Sequence, residues 1–223
     1  MGVNLGQVFP NIDCKTTKGD YKLHDFINES WSILFSHPAD YTPVCTTELG
    51  TAAQLKPEFD ARGVKMIGLS IDSVDSHNGW IKDIQSYAGL QGEFPYPIIA
   101  GTRQTAADLG MLDPDEVDAS GMALTARCVF IIGPDKKLKL SLLYPATTGR
   151  NFNEIIRVID SLQLTATKKV ATPANWKSGE DCMVVPSLSD AQATELFPKG
   201  FKVTEVPSKK SYIRLTPDPS NLP

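Results

Sequence analysis

Hydrophobic residues along the chain fall into short continuous runs and into helix-spaced patterns, and the two kinds alternate. Three runs rich in β-branched and aromatic residues are followed by loop-forming residues, which predicts buried central strands at residues 31–36, 64–71 and 127–132. Four patterns with helical spacing cover residues 48–61, 76–87, 102–109 and 152–162. This alternation of strand and helix predicts an α/β fold.

One further stretch has the pattern of a strand with one face in water. Residues 137–143 alternate between lysine or serine and leucine. The tripeptide Gly133-Pro134-Asp135 stands before it and supplies a turn. Residues 127–143 are therefore predicted to form a β-hairpin.

The proline content and the charge of the sequence change near Leu164. Residues 166–223 hold seven of the 16 prolines and carry eight basic and six acidic side chains, against 14 and 20 in residues 1–165. We therefore expect a domain at 1–165 and a smaller unit at 166–223, which depends on the first domain or on a partner subunit. Within this unit, Ser189 and Gln192 have the spacing of a capping box, and residues 210–215 are predicted to form a strand.

Composition excludes several classes of function. The 223 residues are 41% hydrophobic and 22% charged with a net charge of −4, which is typical of an ordinary folded domain. The chain has no block of basic residues for a phosphate backbone, so no nucleic-acid partner is expected. It also has no run of about 18 apolar residues, so no integral membrane association is expected.

The cysteines argue against structural disulfides and against a metal site. Cys14, Cys45, Cys128 and Cys182 form no C-x-x-C pair and do not cluster with the three histidines. The first residues lack the basic and apolar regions of a signal peptide. We therefore expect a cytoplasmic, reducing location, and neither a metal nor a cofactor.

Candidate chemistry concentrates in the segment HPADYTPVCTTE at positions 37–48. Pro43 suits the start of a helix and places Cys45 in its first turn, where unpaired N–H groups and the helix dipole stabilise a thiolate. The hydroxyl of Thr42 lies three residues before the sulfur. Without further information, Cys45 is about equally well explained as an inert small hydrophobe.

This segment resembles the active-site pattern Pro-x-x-x-Thr-x-x-Cys of the peroxiredoxins, and the form Thr-Pro-Val-Cys-Thr-Thr-Glu resembles their one-cysteine subfamily. The similarity covers nearly the whole chain. It includes residues 69–73, 110–114, 125–127, 144–151, 170–173 and 176–177.

The resemblance implies a thioredoxin-like fold with a small C-terminal dimerisation domain, and a homodimer. It assigns the peroxidatic cysteine to Cys45, the catalytic threonine to Thr42, the shielding proline to Pro38 and the active-site arginine to Arg127. Peroxide cleavage needs in-line attack on one oxygen while charge grows on the other, and these residues suit that task.

Three further residues are expected to support this set. Glu48 would fix the active-site arginine, and Arg150 would stand behind it as a second cation. From the residues alone, Arg150 is equally well explained as a solvated charge before a helix. His37 lies close to the sulfur by resemblance, although a histidine at a strand end can also simply pack.

The product would be a sulfenic acid on Cys45, which a second thiol must reduce. Two-cysteine relatives carry a resolving cysteine in a Val-Cys-Pro segment, whereas this chain has Val170-Ala171-Thr172-Pro173. That favours an external thiol, by resemblance glutathione, delivered by a pi-class glutathione transferase. Cys182 is an alternative resolver, but its surroundings predict a buried strand. Cys14 and Cys128 are expected to be packing residues.

The resemblance also implies a second activity, a calcium-independent phospholipase A2 with Ser30, His24 and Asp135. The G-x-S-x-G glycines of a nucleophile elbow are absent around Ser30, which favours a turn residue instead. Three hypotheses thus follow. The main one is a thiol peroxidase for hydrogen peroxide and organic hydroperoxides, including those of phospholipids, and the others are a redox sensor or chaperone and a phospholipid acyl hydrolase.

Overall fold

The structure is a computed structural model and describes residues 2–220. Its strands are β1 (Asp13–Thr16), β2 (Gly19–Lys22), β3 (Trp31–Ser36), β4 (Val64–Ser70), β5 (Ile98–Ala100), β6 (Leu112–Val117), β7 (Ala123–Thr125), β8 (Arg127–Ile132), β9 (Leu138–Tyr144), β10 (Val170–Ala171), β11 (Cys182–Val184), β12 (Lys202–Val203) and β13 (Arg214–Thr216). Its helices are α1 (Leu23–Ile27), α2 (Pro43–Gln54), α3 (Lys56–Ala61), α4 (Val74–Ala88), α5 (Arg103–Asp108), α6 (Phe152–Thr167) and α7 (Asp190–Leu196).

The three predicted central strands are confirmed and lie side by side. A seven-stranded sheet has the order β2-β1-β5-β4-β3-β8-β9. β3 pairs in parallel with β4 and antiparallel with β8, and all three strands are buried along almost their whole length. Such continuous apolar runs are typical of strands covered on both faces. The mixed sheet with intervening helices confirms the expected thioredoxin-like α/β class.

The predicted hairpin is also confirmed. β8 and β9 pair antiparallel from Arg127 opposite Tyr144 to Ile132 opposite Leu138. The connecting turn includes Lys136, whose φ of 60° lies in the left-handed region. β9 forms one edge of the sheet, and its side chains alternate between more buried and more exposed positions.

The single helix predicted at residues 48–61 is two helices in the structure, although its end at Ala61 and the helix start expected at Pro43 are both confirmed. The structure begins α2 earlier, at Pro43, and ends it at Gln54, with a separate helix α3 from Lys56. The interruption at Leu55 has a physical cause, because Pro57 has no N–H to donate to the carbonyl four residues earlier. The helices predicted at 76–87, 102–109 and 152–162 are confirmed as α4, α5 and α6 with shifted ends.

A cluster of buried side chains under the large sheet holds the first unit together. Its largest members come from distant segments of the chain, and they include Phe9, Leu23, Leu34, Ile67 and Phe130. Burial of each such side chain contributes about 1.5–3 kcal/mol relative to exposure, so this core fixes the strand ends from which the site is built.

The chain divides into two compact units between Phe152 and Asn153. The composition boundary at 165/166 lies within helix α6, which groups with the second unit. That unit has a four-stranded antiparallel sheet of order β10-β11-β13-β12 and a small core that includes Trp176 and Cys182. The capping box of Ser189 and Gln192 is confirmed at the start of α7.

The strand predicted at residues 210–215 was wrong in its first part. Only Arg214–Thr216 form a strand, β13, which pairs with β11 and β12. Lys209 has a φ of 58°, so a turn precedes this segment, and the Ile213 carbonyl bonds outside the ladder to the Thr204 N–H. No helix among the described residues is long and apolar enough to cross a membrane.

Candidate active site

Cys45 lies at the third position of α2, directly after the loop that leaves β3. Thr42 is the N-cap residue and Pro43 the first helical residue, which explains why the helix begins there. No side chain caps the first turn, so its N–H groups remain for an anion. The Cys45 side chain is fully buried, with 0% exposure.

Arg127 reaches the sulfur of Cys45 from the first position of β8. Its Nη1 donates to Cys45 Sγ at 3.3 Å and to Glu48 Oε2 at 2.7 Å. Its Nε and Nη2 both donate to the carbonyl of Ala146, at 2.9 and 2.5 Å. The guanidinium plane is therefore held from two sides while one nitrogen faces the sulfur, which the rigid fork of arginine permits and a lysine does not.

Glu48 joins Arg127 to Arg150 one helical turn after Cys45. The Arg150 Nε and backbone N–H donate to Glu48 Oε1 at 2.9 and 2.7 Å, and its Nη2 donates to Oε2 at 2.8 Å. Burial opposes ionisation of Glu48, but the charge and hydrogen bonds of Arg150 and the charge of Arg127 outweigh it and hold its pKa below the usual value. The carboxylate thus stays ionised at neutral pH.

The charges of this cluster do not cancel without the sulfur. Two guanidinium groups face one carboxylate, and the side chains of Arg127, Arg150 and Glu48 are each at most 3% exposed. A buried excess of positive charge is costly unless an anion accompanies it. An anion at the adjacent sulfur of Cys45 would make the group neutral as a whole.

The loop before α2 carries Pro38 and Thr42. Pro38 is buried and Thr42 is half-buried. The Thr42 hydroxyl donates its hydrogen to the Ala39 carbonyl at 2.9 Å. The hydroxyl oxygen can therefore still accept a hydrogen bond from another donor. The donor at Cys45 Sγ is Arg127.

His37 takes part in a buried group that sequence reasoning missed. Its Nε2 donates to Asp40 Oδ1 at 2.8 Å, and His77 Nδ1 donates to Asp40 Oδ2 at 2.8 Å. Within residues 2–220 these three are the group of ligand types that could hold a metal ion, with ligand atoms within 4.8 Å of one another. Both nitrogen–oxygen distances are those of hydrogen bonds with a proton between the atoms. The spacing of His37 and Asp40 was the only available signal, since His77 lies far along the sequence.

The other three cysteines are buried, and each has a thiol pKa above the usual value. Burial and the charge of Asp13 raise the pKa of the Cys14 thiol to about 12. Burial and the charge of Asp218 raise the pKa of the Cys182 thiol to about 11. Burial also raises the pKa of the Cys128 thiol. All four cysteines are free thiols. A thiol that stays protonated is a poor nucleophile.

The residues of the predicted phospholipase set each have other partners. His24 Nε2 contacts the Phe9 carbonyl at 2.7 Å, and Asp135 accepts from the Lys139 ammonium at 2.6 Å. The Ser30 N–H donates to the Ile27 carbonyl at 3.0 Å. The described contacts do not link Ser30, His24 and Asp135 into a relay, so this set stays a prediction.

Taken together, a buried cysteine at a helix N-terminus and an arginine fixed on its sulfur are suited to attack by a thiolate on an electrophilic oxygen. A cation beside the sulfur could also stabilise negative charge on an oxygen that leaves during such an attack. This arrangement defines a class, the cysteine-dependent peroxidases.

Comparisons with known proteins agree with that class. Residues 5–141 match the AhpC/TSA family, and residues 161–200 match the C-terminal domain of 1-Cys peroxiredoxin. Peroxiredoxin-6 of Gallus gallus is 62% identical, over 98% of this chain and 99% of that protein. The crystal structure of a cysteine-to-serine mutant of peroxiredoxin 6 of Arenicola marina has a TM-score of 0.96 at 58% identity, over 99% of this chain and 100% of that one.

A yeast mitochondrial 1-Cys peroxiredoxin is more distant, with a TM-score of 0.85 at 41% identity over 96% of this chain and 99% of that one. Its structure was described for a thiol resolving mechanism via glutathione and thioredoxin systems. The chain belongs to the AhpC/TSA family and, within it, to the 1-Cys peroxiredoxins of the peroxiredoxin-6 type, which are thiol-dependent peroxidases.

Proposed function

We propose that Cys45 is the nucleophile that reduces hydroperoxides. The Cys45 thiolate attacks one oxygen of R–O–O–H, the S–O bond forms as the O–O bond breaks, and the products are a sulfenic acid and an alkoxide that takes up a proton. Sulfur is oxidised by two electrons and the peroxide is reduced by two. The observation that carries this proposal is the 3.3 Å contact of Arg127 Nη1 with Cys45 Sγ.

The residues around the sulfur have separate tasks in this step. Arg127 stabilises the thiolate and then the charge on the departing oxygen. The lone pairs of Thr42 accept the hydrogen of the incoming peroxide, and buried Pro38 restricts water at the sulfur. Glu48 fixes the guanidinium of Arg127, and Arg150 supplies the second cation.

His37 supports the loop of Pro38 rather than the reaction itself. Burial, opposed by Asp40, lowers the pKa of His37, so its ring is neutral at pH 7. A neutral ring that donates through Nε2 to Asp40 holds the loop in position at the end of β3.

An external thiol completes the cycle. A first glutathione thiolate attacks the sulfenic sulfur and displaces hydroxide, which takes up a proton and leaves as water. A second glutathione thiolate attacks the glutathione sulfur of the mixed disulfide, breaks the S–S bond, and releases oxidised glutathione and the Cys45 thiolate. Glutathione is supported by the yeast relative described above, and we propose a pi-class glutathione transferase as its carrier. Internal resolution by Cys182 is disfavoured because its pKa of about 11 keeps it protonated at neutral pH.

We further infer a cytoplasmic homodimer that acts on hydrogen peroxide and on organic hydroperoxides, including those of phospholipids. The absence of C-x-x-C pairs and the raised pKa values of the other thiols suit a reducing compartment. β9 is an edge strand of the large sheet, and within residues 2–220 the N-terminal segment bonds only its start, which supports self-association through the rest of this edge.

The test is mass spectrometry on fully reduced protein that receives one equivalent of hydrogen peroxide, with and without the sulfenic-acid trap dimedone. We expect one added oxygen, trapped only at Cys45, and no peroxide consumption by Cys45→Ser. Cys128→Ser is the matched control and should react like wild type. Trapping at another cysteine, or no reaction, would overturn the proposal.

A redox sensor or chaperone would also form a sulfenic acid at Cys45. Steady turnover with glutathione, followed as peroxide consumed per protein molecule, separates the two functions. Many turnovers support the enzyme, whereas a single turnover supports the sensor.

A further inference from the structure

A buried hydrogen-bond network fastens the loop in front of α2 to the start of α4. The Asp40 carboxylate lies at its centre and is bonded by both histidines described above. Its Oδ2 also accepts from the Ser76 hydroxyl at 2.7 Å. The backbone N–H of Asp40 donates to Asp72 Oδ2 at 3.0 Å, and Asp72 lies just after β4. Asp40 thus connects the end of β3 with α4 through its side chain, and with the end of β4 through its backbone N–H.

The segment that this network holds leads straight into the proposed nucleophile. Pro38 lies in sequence between His37 and Asp40, which are hydrogen-bonded to each other. The Ala39 carbonyl accepts from the Thr42 hydroxyl. Thr42 is the N-cap of the helix that carries Cys45. Release of Asp40 would therefore shift Pro38 and Thr42 relative to the sulfur.

The backbone beside Asp40 is strained, which requires external support. Tyr41 has a φ of 54°, in the left-handed region that bulky residues rarely adopt. Tyr41 is 57% exposed, so burial of the residue does not account for this conformation. The Tyr41 hydroxyl lies against Gly79 of α4, where any Cβ would overlap it. A strained residue persists when its surroundings fix it, and the bonds of Asp40 supply that fixation.

Only a carboxylate fits the donor pattern around Asp40. Three donors, from His37, His77 and Ser76, point at its two oxygens, and His77 Nε2 also faces the Ile99 carbonyl at 3.2 Å. Asp72 is the further charged group of this network. An asparagine keeps the shape but has one acceptor oxygen, so its NH2 group would face one of these donors.

We propose that Asp40 is a positioning residue for peroxide reduction, which holds the Pro38–Thr42 loop on α4 in the geometry that the reaction at Cys45 needs. The inference rests on the proposed function of Cys45. It makes a specific claim: Asp40 serves the alignment of the peroxide and not the general reactivity of the sulfur.

The test compares two reactions of the same sulfur in Asp40→Asn. Iodoacetamide alkylation needs the thiolate but no peroxide alignment, whereas hydrogen peroxide reduction needs both. Because misplacement by about 1 Å can cost about 100-fold, we expect a 10- to 100-fold lower rate constant with peroxide and an alkylation rate constant within twofold of wild type. Asp75→Asn is the matched control. Asp75 lies in the first turn of α4 beside Ser76 but is exposed, so this variant should leave both rate constants unchanged.

Two milder variants keep the test decisive if Asp40→Asn folds poorly. Ser76→Ala removes one hydrogen bond to the Asp40 carboxylate and should lower the rate constant with peroxide about threefold. His77→Gln keeps a hydrogen-bond donor for Asp40 but loses the contact with the Ile99 carbonyl. In a double-mutant cycle, His77→Gln should add less in the Asp40→Asn background than in wild type, since coupled residues are not additive.

Three results would overturn the proposal. Peroxide rates of Asp40→Asn and Ser76→Ala equal to the Asp75→Asn control would exclude any role. Equal losses in peroxide reduction and alkylation would assign the network to the fold or to the thiolate. Failure of the proposed function looks different, because Cys45→Ser would then still consume peroxide.

Discussion

Arg127 Nη1 lies 3.3 Å from Cys45 Sγ although 82 positions separate the two residues in sequence. The contact exists because β8 lies next to β3 in the sheet and α2 follows β3 directly. Glu48 and the Ala146 carbonyl hold the guanidinium in place before any substrate arrives. A donor fixed in advance loses little free energy to reorganisation when charge develops on the peroxide oxygen.

Replacement of Arg127 should lower the rate of peroxide reduction strongly. Removal of one fixed donor to a developing oxyanion costs about 100- to 1,000-fold, so we expect a loss of this size in Arg127→Gln. Arg127→Lys should recover part of the rate, because it keeps the charge but cannot contact Cys45, Glu48 and Ala146 at once. The measurement is the second-order rate constant with hydrogen peroxide by stopped flow.

Arg62→Lys is the matched control for this series, since Arg62 bonds Glu58 on the surface of α3. It should keep the wild-type rate. A lysine at 127 that restores the full rate would show that charge alone is needed and that the fork geometry is not.

Glu48 should make the free energy of unfolding depend on pH. Its pKa is depressed in the folded protein, so the stability it contributes is present above its unfolded pKa of about 4.3 and is lost as the pH falls through the folded value. Glu48→Gln leaves two buried arginines with too little negative charge and should cost about 3–5 kcal/mol at pH 7. This difference from wild type should shrink towards pH 3.

Urea unfolding at pH 7, 5 and 3.5 measures this effect, with exposed Glu58→Gln as the control. A difference between wild type and Glu48→Gln that stays constant over this range would contradict the role of ionised Glu48.

The central sheet was predictable from the sequence because its strands are buried on both faces. The runs at β3, β4 and β8 are continuous and apolar, and loop residues end each of them. The break after Gln54 was missed because the helical pattern continues through Pro57, and β5 was missed because it has only three residues. Short strands depend on their neighbours in the sheet rather than on their own pattern.

The site was predictable only in part, and for a similar reason. Pro43 and Cys45 lie close together in sequence, so the helix N-terminus that surrounds the sulfur could be read directly. The pairing of Asp40 with His77 depends on the packing of α4 against the loop, which no spacing encodes. A buried polar group finds its partners in tertiary structure, whatever their distance along the chain.

Cys182 should have no part in the catalytic cycle. Its pKa of about 11 leaves almost no thiolate at neutral pH, so it cannot compete with millimolar glutathione for a sulfenic acid. Cys182→Ser should therefore keep glutathione-supported turnover within twofold of wild type, measured by NADPH oxidation with glutathione reductase. Cys45→Ser is the inactive reference. A Cys45 to Cys182 disulfide in non-reducing peptide maps would contradict this prediction.

Ser30 should be irrelevant to peroxide reduction. It precedes β3, whereas the active-site loop follows the other end of that strand, and six extended residues span about 20 Å. Ser30→Ala should therefore keep the wild-type rate with hydrogen peroxide.

The same variant tests the phospholipase set, which predicts that release of fatty acid from phospholipid vesicles is lost. Unchanged release from Ser30→Ala would remove Ser30, His24 and Asp135 as the source of that activity.

The exposed edge at β9 should mediate association of two copies. The N-terminal segment bonds only the start of this edge, where the Leu138 N–H donates to the Gln7 carbonyl, and among residues 2–220 no second strand pairs with the rest of β9. Leu143 is 66% exposed there. Leu143→Lys places a charge on this edge and should shift sedimentation at micromolar concentration from dimer to monomer. Tyr87→Lys, equally exposed on α4, should remain dimeric, and an unchanged dimer of Leu143→Lys would place the interface elsewhere.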